Sequence, residues 1–505
     1  MADYVLGIDQ STQGTKALLF DEKGKLIGRR DLPHRQIIDE RGWVEHDPEE
    51  IYRNTIQTVK DLVAKTGIDK SDIRVLGISN QRETAAAWSR RTGKPVYNAI
   101  VWQCARGAAI CDALEQDQPN VRYFVKERTG LNFSPYFSAA KLAWILQNVS
   151  AAQAARDAGD LCMGTMDSFL VWRLTGGKKF LTDYSNASRT QLFNIYTLTW
   201  DKEICEMFGI PLSCLPEVTD SDGDFGMTDF EGFLDHPIPI RCAMGDSHGA
   251  LFGQGCLGPG MIKSTFGTGS SIMMNIGEEP AVSGSLVTSL AWKIGGKVNY
   301  VLEGNINFTG AVISWMQHDL HLIDKASETS ELARSAHPAD RTYLVPAFSG
   351  LGAPYWDSSA RAIFCGMSRT TGRAELIRAG LESIAYQVTD ILNVMRQDSG
   401  IDITELRVDG GPTGNAYLMQ FQSDLADVTV QVADVEELSG LGVAYTAGIA
   451  AGIYDPDTVF DTISRSQYTP RMSKAERVER YDGWKDAVRI CTAKTNFRTD
   501  RRNEI

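Results

Sequence analysis

Tyr4-Val5-Leu6-Gly7-Ile8 runs into Asp9-Gln10-Ser11-Thr12-Gln13-Gly14-Thr15-Lys16 and leaves through Ala17-Leu18-Leu19-Phe20. An apolar run, a polar turn of small residues and a second apolar run spell strand, turn, strand. Small residues let backbone amides approach a phosphate closely, and Asp9 closes the first strand, where a metal-bound nucleotide is met. A second turn of this kind, Gly267-Thr268-Gly269-Ser270, lies past the midpoint, between apolar runs from Ile262 to Phe266 and from Ile272 to Ile276. The recurrence predicts an α/β chain of two related halves that close on a nucleoside triphosphate.

Working outward, Asp21-Glu22-Lys23-Gly24-Lys25 reads as a hairpin turn into a third strand. Asp47-Pro48-Glu49-Glu50 caps an amphipathic helix running toward Lys65. The apolar stretch Val75-Leu76-Gly77-Ile78-Ser79 ends in the polar burst Asn80-Gln81-Arg82-Glu83-Thr84. Polar clusters at the carboxyl ends of such strands are where α/β proteins place ligands. The pattern resets after Gly245-Asp246-Ser247-His248, and Leu406-Arg407-Val408-Asp409 ends in the pair Gly410-Gly411. The boundary between the halves is expected near Leu251 to Gly260, with no low-complexity or Pro-rich linker. The tail from Thr492 is expected to fray.

The chain has 505 residues, too many for a single core and enough for two domains. Hydrophobic residues make up 43% and charged residues 23%, the balance of a soluble enzyme. With 51 basic and 64 acidic residues, the formal charge of −13 argues against nucleic acid as a partner. Nine scattered cysteines, with no Cys-x-x-Cys pair, read as reduced thiols rather than a zinc site or disulfide framework. The first residues carry no secretory signal and no run is long enough to span a bilayer, so a cytoplasmic protein without membrane contact is expected.

Each candidate constellation has two readings. Asp9 with Thr12, Thr15 and Lys16 is a metal-linked carboxylate beside a phosphate turn, or an ordinary hairpin. Gly267-Thr268-Gly269-Ser270-Ser271 is open in the same way. Asp409-Gly410-Gly411, with Asn415, opens a helix toward an anion or adenine, or is a turn that needs glycine. No Walker A loop occurs. Arg82 and Glu83 with Trp102 and Tyr136 suit a polyhydroxylated ligand, charged groups fixing hydroxyls and aromatic faces covering C–H bonds. The alternative is an ion pair and two core aromatics. Asp246 is a helix N-cap, a general base toward a substrate hydroxyl, or both. His248 lacks an accompanying nucleophile motif and is the weaker base.

The ordered blocks Gly42-Trp43-Val44-Glu45-His46-Asp47-Pro48, Ile78 to Thr84, Asn98-Ala99-Ile100-Val101-Trp102-Gln103, Asn186-Ala187-Ser188-Arg189-Thr190, Pro346 to Trp356 and Leu418 to Gln422 resemble the FGGY family of carbohydrate kinases, and its glycerol kinases most closely. Tyr136 to Trp144 and Gly366 to Gln387 are similar to the two family signatures. The resemblance covers nearly the whole chain, to about Tyr454. It implies two ribonuclease-H-like domains of the actin and hexokinase ATPase type with an interdomain active site, residues 1–252 for the acceptor and general base and 253–505 for the nucleotide. It implies MgATP as donor and a small polyol or ketose as acceptor.

Carried across by position, Asp246 matches the general base, and Asp9 with Asp246 the Mg2+ carboxylates. Thr12, Gln13, Lys16, Thr268, Gly310, Gly411 and Asn415 match the nucleotide contacts. Arg82, Glu83, Trp102, Tyr136 and Asp246 match the acceptor contacts, which Ser247 and Ser271 join. Lys16 stands where the family usually has Arg, which keeps the cation and loses the bidentate fork. Ser247 stands where the family has Gln, and Ser271 where it has an aromatic residue. Shorter side chains imply a wider, more polar pocket and an acceptor of four or five carbons. The glycine-rich regulatory loop of some bacterial relatives is absent between Glu217 and Arg241, so no sugar-bisphosphate control is expected. A homodimer or homotetramer is expected. The rival readings are a true glycerol kinase, an inactive sugar- or nucleotide-binding regulator and, more remotely, an assembly ATPase.

Overall fold

The computed structural model describes residues 3–493; most of the tail expected to fray lies outside them. The chain divides into two compact units, one built from residues 3–263, 273–303 and 433–464, the other from 264–272, 304–432 and 465–493. Among the described residues no helix is long and apolar enough to cross a membrane.

The opening strand–turn–strand forms as read and runs longer than its apolar cores: Tyr4–Gln10 pairs antiparallel with Gly14–Phe20, which pairs with Leu26–Pro33. Polar residues at the strand ends join the ladder because backbone pairing extends as far as the register holds, whatever the side chain. In the six-stranded sheet of the first unit, Tyr4–Gln10 also lies parallel to Ile73–Asn80, and Ile73–Asn80 parallel to Ile238–Gly245. Three parallel strands therefore end at one edge. A smaller five-stranded sheet carries Val44–His46, Ala85–Ser89 and Leu161–Thr165.

Asp47 caps the Pro48–Thr66 helix as read, accepting from the Glu49 amide at 2.9 Å. Ile51, Tyr52, Ile56, Val59 and Leu62 on that helix are buried in a core shared with Leu6, Ile8, Leu76 and Ile78 of the parallel strands. Burial of a Leu- or Ile-sized side chain contributes about 1.5–3 kcal/mol, so this packing holds the strand ends in place.

In the second unit, residues 405–408 pair in parallel with 429–432 through the Ala416–Ala426 helix, a crossover of βαβ type. The long helix Arg373–Ser399 brings Asp390 to Tyr355, Tyr481 and Trp484, whose polar hydrogens it accepts at 2.8, 2.6 and 2.8 Å. Burial pushes the Asp390 carboxyl up to about 6. The second turn is shorter than read: Ser270 begins the Ser270–Gly277 strand, and its hydroxyl meets Thr309 at 2.7 Å.

Candidate active site

Register places the first unit's chemistry. Asp9 pairs with Ser79 across the parallel strands, Ser79 with Met244, and Asn80 with Gly245. Asp9 and the start of the helix after Gly245 thus share the carboxyl edge of the sheet, where ligands bind α/β folds.

Asp9 is 4% exposed. Its carboxylate accepts from the Ser79 hydroxyl at 3.1 Å and faces Lys16 Nζ at 3.5 Å. Burial is the main cause that pushes its pKa up to about 6; Lys16 opposes the rise and the carboxylates of Asp246 and Glu437 add to it. Lys16 is committed within the protein, with Glu437 at 2.7 Å, and Glu437 also holds Arg29 at 2.6 Å. Burial pulls the Lys16 pKa down, but Asp9 and Glu437 outweigh it and keep the ammonium charged.

Asp246 is the first residue of the Asp246–Gly253 helix, and Gly245 occupies the cap position. This corrects the reading of Asp246 as the N-cap: the strand runs through Gly245, so the carboxylate enters one residue later. Its Oδ1 accepts from the Ser247 amide at 2.6 Å and lies 3.4 Å from Arg82 Nε, while a third of the side chain (34%) stays exposed. Glycine is needed at 245, since a Cβ there would meet Arg82 Cγ at 2.7 Å.

Arg82 is buried and its fork is filled. Its Nη1 and Nη2 donate to the two oxygens of Glu303 at 3.0 and 2.7 Å. Arg189 Nε donates to Glu83 at 2.6 Å and its Nη1 pairs with Glu303 at 2.9 Å. Two guanidinium and two carboxylate groups alternate in a buried, neutral set, with Asp246 at its open end. Burial alone would raise the Glu303 carboxyl, but Arg189 and Arg82 hold it far below the usual carboxylate range. Glu83 has a φ of 59°, in the left-handed region that side chains rarely occupy and that functional sites often retain. His248 is fully buried, and burial, helped by the charge of Arg82, drives its imidazole to the neutral form.

Trp102 and Tyr136 are half-buried, their rings edge to face at 5.6 Å. The Trp102 indole N–H donates to the Thr12 hydroxyl at 2.9 Å. This joins an acceptor candidate to the first turn that is a candidate for phosphate. That turn is closed by Ser11, whose amide donates to the Gly14 carbonyl at 2.9 Å, and Gln13 stands exposed at its tip.

The remaining candidates lie in the second unit. Gly267 and Thr268 are exposed, and their carbonyls accept from the amides of Gly310 and Ala311 at 2.9 and 3.1 Å, docking the turn onto the start of the Gly310–His318 helix. Gly410 has a φ of +97° and would place a Cβ 2.1 Å from the Phe266 carbonyl, so only glycine fits. Gly411, exposed, begins a short 3-10 turn. Asn415 caps the Ala416–Ala426 helix, accepting from the Leu418 amide at 3.0 Å and donating to Thr329 at 2.8 Å. Ser271 is half-buried near the start of its strand.

Glu303, Arg189 and Glu437 were not singled out from the sequence. The signal for Glu303 is its place directly after the apolar run Tyr300-Val301-Leu302, because a carboxylate next to buried residues demands a partner.

Among the described residues no group of three or more His, Cys, Asp or Glu is arranged to hold a metal. Magnesium requires less, since it keeps several waters and takes one or two carboxylates besides substrate phosphates. Asp9 and Asp246, two hard oxygen donors whose charges act on each other at one strand edge, fit that demand.

Residues 4–253 match the N-terminal domain of the FGGY family of carbohydrate kinases, and residues 262–451 its C-terminal domain. The chain belongs to this family of phosphotransferases that use an alcohol group as acceptor, with its two-domain fold of the actin and hexokinase ATPase type. It is 48% identical to glycerol kinase 1 of Thermotoga maritima over 489 residues, which cover 96% of this chain and 99% of the relative. Glycerol kinase of Caldanaerobacter subterraneus subsp. tengcongensis is 47% identical, with 97% and 98% covered. A solved structure of Plasmodium falciparum glycerol kinase with ADP superposes with a TM-score of 0.93 at 36% identity, covering 98% of this chain and 99% of that one. Xylulose kinase of Lactobacillus acidophilus shares the fold, with a TM-score of 0.87 at 21% identity over 97% of this chain and 99% of that one.

Proposed function

We propose that this chain is an ATP-dependent kinase of small polyols with glycerol as its first acceptor. The carrying observation is Asp246, held by the Ser247 amide and Arg82 yet a third exposed, at the edge where Asp9 also ends. Similarity to glycerol kinases over almost the whole chain supports the same reading.

Residues 1–252 supply the acceptor contacts and the base, and residues 253–505 the further nucleotide contacts. Arg82 and Glu83, fixed by Glu303 and Arg189, orient the polyol hydroxyls, and the Trp102 and Tyr136 rings cover its carbon face. Asp246 takes the proton of the attacking hydroxyl. The bond between the γ-phosphorus and the bridging oxygen breaks, a bond from that phosphorus to the polyol oxygen forms, and ADP leaves. Thr12, Gln13, Lys16, Thr268, Gly310, Gly411 and Asn415 position the nucleotide. Asp9 and Asp246 would hold Mg2+, which when bound offsets phosphate charge. A homodimer or homotetramer is proposed and is checked by light scattering.

A second reading, favoured by the half-buried Ser247 beside Asp246 and by Ser271, is a longer acceptor of four or five carbons. An ATPase-coupled screen of glycerol, erythritol, xylulose and ribulose, with product identification, separates the two. Glycerol should give the highest kcat/KM. Preference for a longer acceptor, lowered by Ser271→Phe, establishes the second reading. If no acceptor is phosphorylated, the chain is a binding protein and both readings fall.

A further inference from the structure

Lys141 lies on the Ser138–Asn148 helix with no exposed surface. Its ammonium turns back on the segment before the helix and donates to three consecutive carbonyls: Pro135 at 2.9 Å, Tyr136, and Phe137 at 3.2 Å. A charged lysine has three N–H donors and no acceptor, so the three carbonyls use all of them. The same segment is fastened at its other end, where the Ser138 hydroxyl donates to the Glu83 carbonyl at 3.1 Å. Glu83 is the residue held in the left-handed backbone region, and its carboxylate is the charge that most favours the Lys141 ammonium. Burying an ammonium among neutral carbonyls is costly, and a helix of this apolarity has cheaper residues for that position.

We propose that Lys141 is a positioning residue for the acceptor, stapling the Tyr136 segment against Glu83 so that the aromatic face and the carboxylate meet the polyol in fixed relation. The inference rests on the polyol-kinase reading above. Lys141 reaches no reacting atom; it acts through Tyr136 and Glu83.

Neutral lysine offers two N–H donors and a lone pair, which must then oppose the third carbonyl. Burial lowers the Lys141 pKa to about 7, against the pull of Glu83 and the weaker influence of the Cys104 and Cys111 thiols that face it. Acceptor binding should therefore weaken as pH rises through neutrality.

The test is steady-state kinetics of wild type, Lys141→Met, Tyr136→Ala and the double variant, with acceptor and ATP varied separately. Lys141→Met should raise the acceptor KM about tenfold, leave the ATP KM within twofold and lower kcat less than threefold. With Tyr136 already removed, Lys141→Met should add little, because residues acting through one contact are not additive. The rise of the acceptor KM above pH 7 should vanish in Lys141→Met. Equal damage to both substrates, or full additivity with Tyr136→Ala, overturns the proposal and leaves Lys141 a structural lysine. If Lys141→Met does not fold, the wild-type pH profile and Ser138→Ala decide: a flat acceptor KM across neutrality together with an unchanged KM in Ser138→Ala refutes the staple. A wild type that phosphorylates no polyol overturns the kinase reading itself, and the staple with it; an active wild type with an unmoved acceptor KM in Lys141→Met overturns the staple alone.

Discussion

The indole N–H of Trp102 donates to the hydroxyl of Thr12 at 2.9 Å, across 90 residues of sequence. One hydrogen bond thus ties the aromatic wall proposed for the acceptor to the turn proposed for phosphate. The contact gives the two substrates a direct physical link, since a shift of either residue moves the other. Trp102→Phe keeps a smaller aromatic ring and deletes the donor. A bond of this kind contributes about 1 kcal/mol, so the KM values for both ATP and acceptor should rise roughly fivefold. A change confined to the acceptor would show that Thr12 does not depend on Trp102.

Asp246→Asn removes the proton acceptor and keeps the shape. General-base catalysis contributes ~10²–10⁴-fold, so kcat should fall by about 10³. Acceptor affinity, measured by calorimetry, should change little. Activity within tenfold of wild type would assign the proton to another group.

Asp9 carries an opposite demand on stability and activity. Its pKa is 3.8 in a free chain and about 6 in the fold. The folded state therefore holds its proton more tightly, and the associated stability is complete below pH 3.8 and lost as pH rises through about 6. Asp9→Asn should then raise stability at pH 8, on the order of 1 kcal/mol, and abolish phosphoryl transfer. With MgATP far below saturation, kcat/KM should fall along an acid limb near pH 6, and the limb in kcat should lie lower when MgATP saturates the enzyme. Thermal melts and pH profiles of both proteins check this; an Asp9→Asn variant less stable than wild type at pH 8 would contradict it.

Glu303→Gln leaves Arg82 and Arg189 facing each other without their shared counter-charge. Removing one member of a buried ion set costs about 3–5 kcal/mol, so the urea midpoint should drop sharply. Arg82 should also lose its orientation, raising the acceptor KM in whatever protein remains folded. A loss under about 1 kcal/mol, the scale of exposed pairs, would mean that water enters the set.

The sequence alone determined the local grammar: the strand–turn–strand at Asp9, the Asp47 cap, the buried strand Val75 to Ser79 before its polar burst, and the glycines at the two turns proposed for phosphate. Each is written within a few consecutive residues, because hydrogen-bond periodicity, capping and φ restrictions act over one turn or one hairpin. Ordered blocks also carried the family, since many short motifs in one order are improbable by chance. What only the tertiary structure decided were the partners. Arg82 and Glu303 lie 221 residues apart, and Lys16 and Glu437 421 apart, and no spacing rule connects them. The sequence turns polar at Asp246 and so offers a capping side chain there, but the fold puts extended Gly245, the last residue of its strand, at the cap position. Charges in a core find each other through packing, whose distances are fixed only when the whole chain has folded.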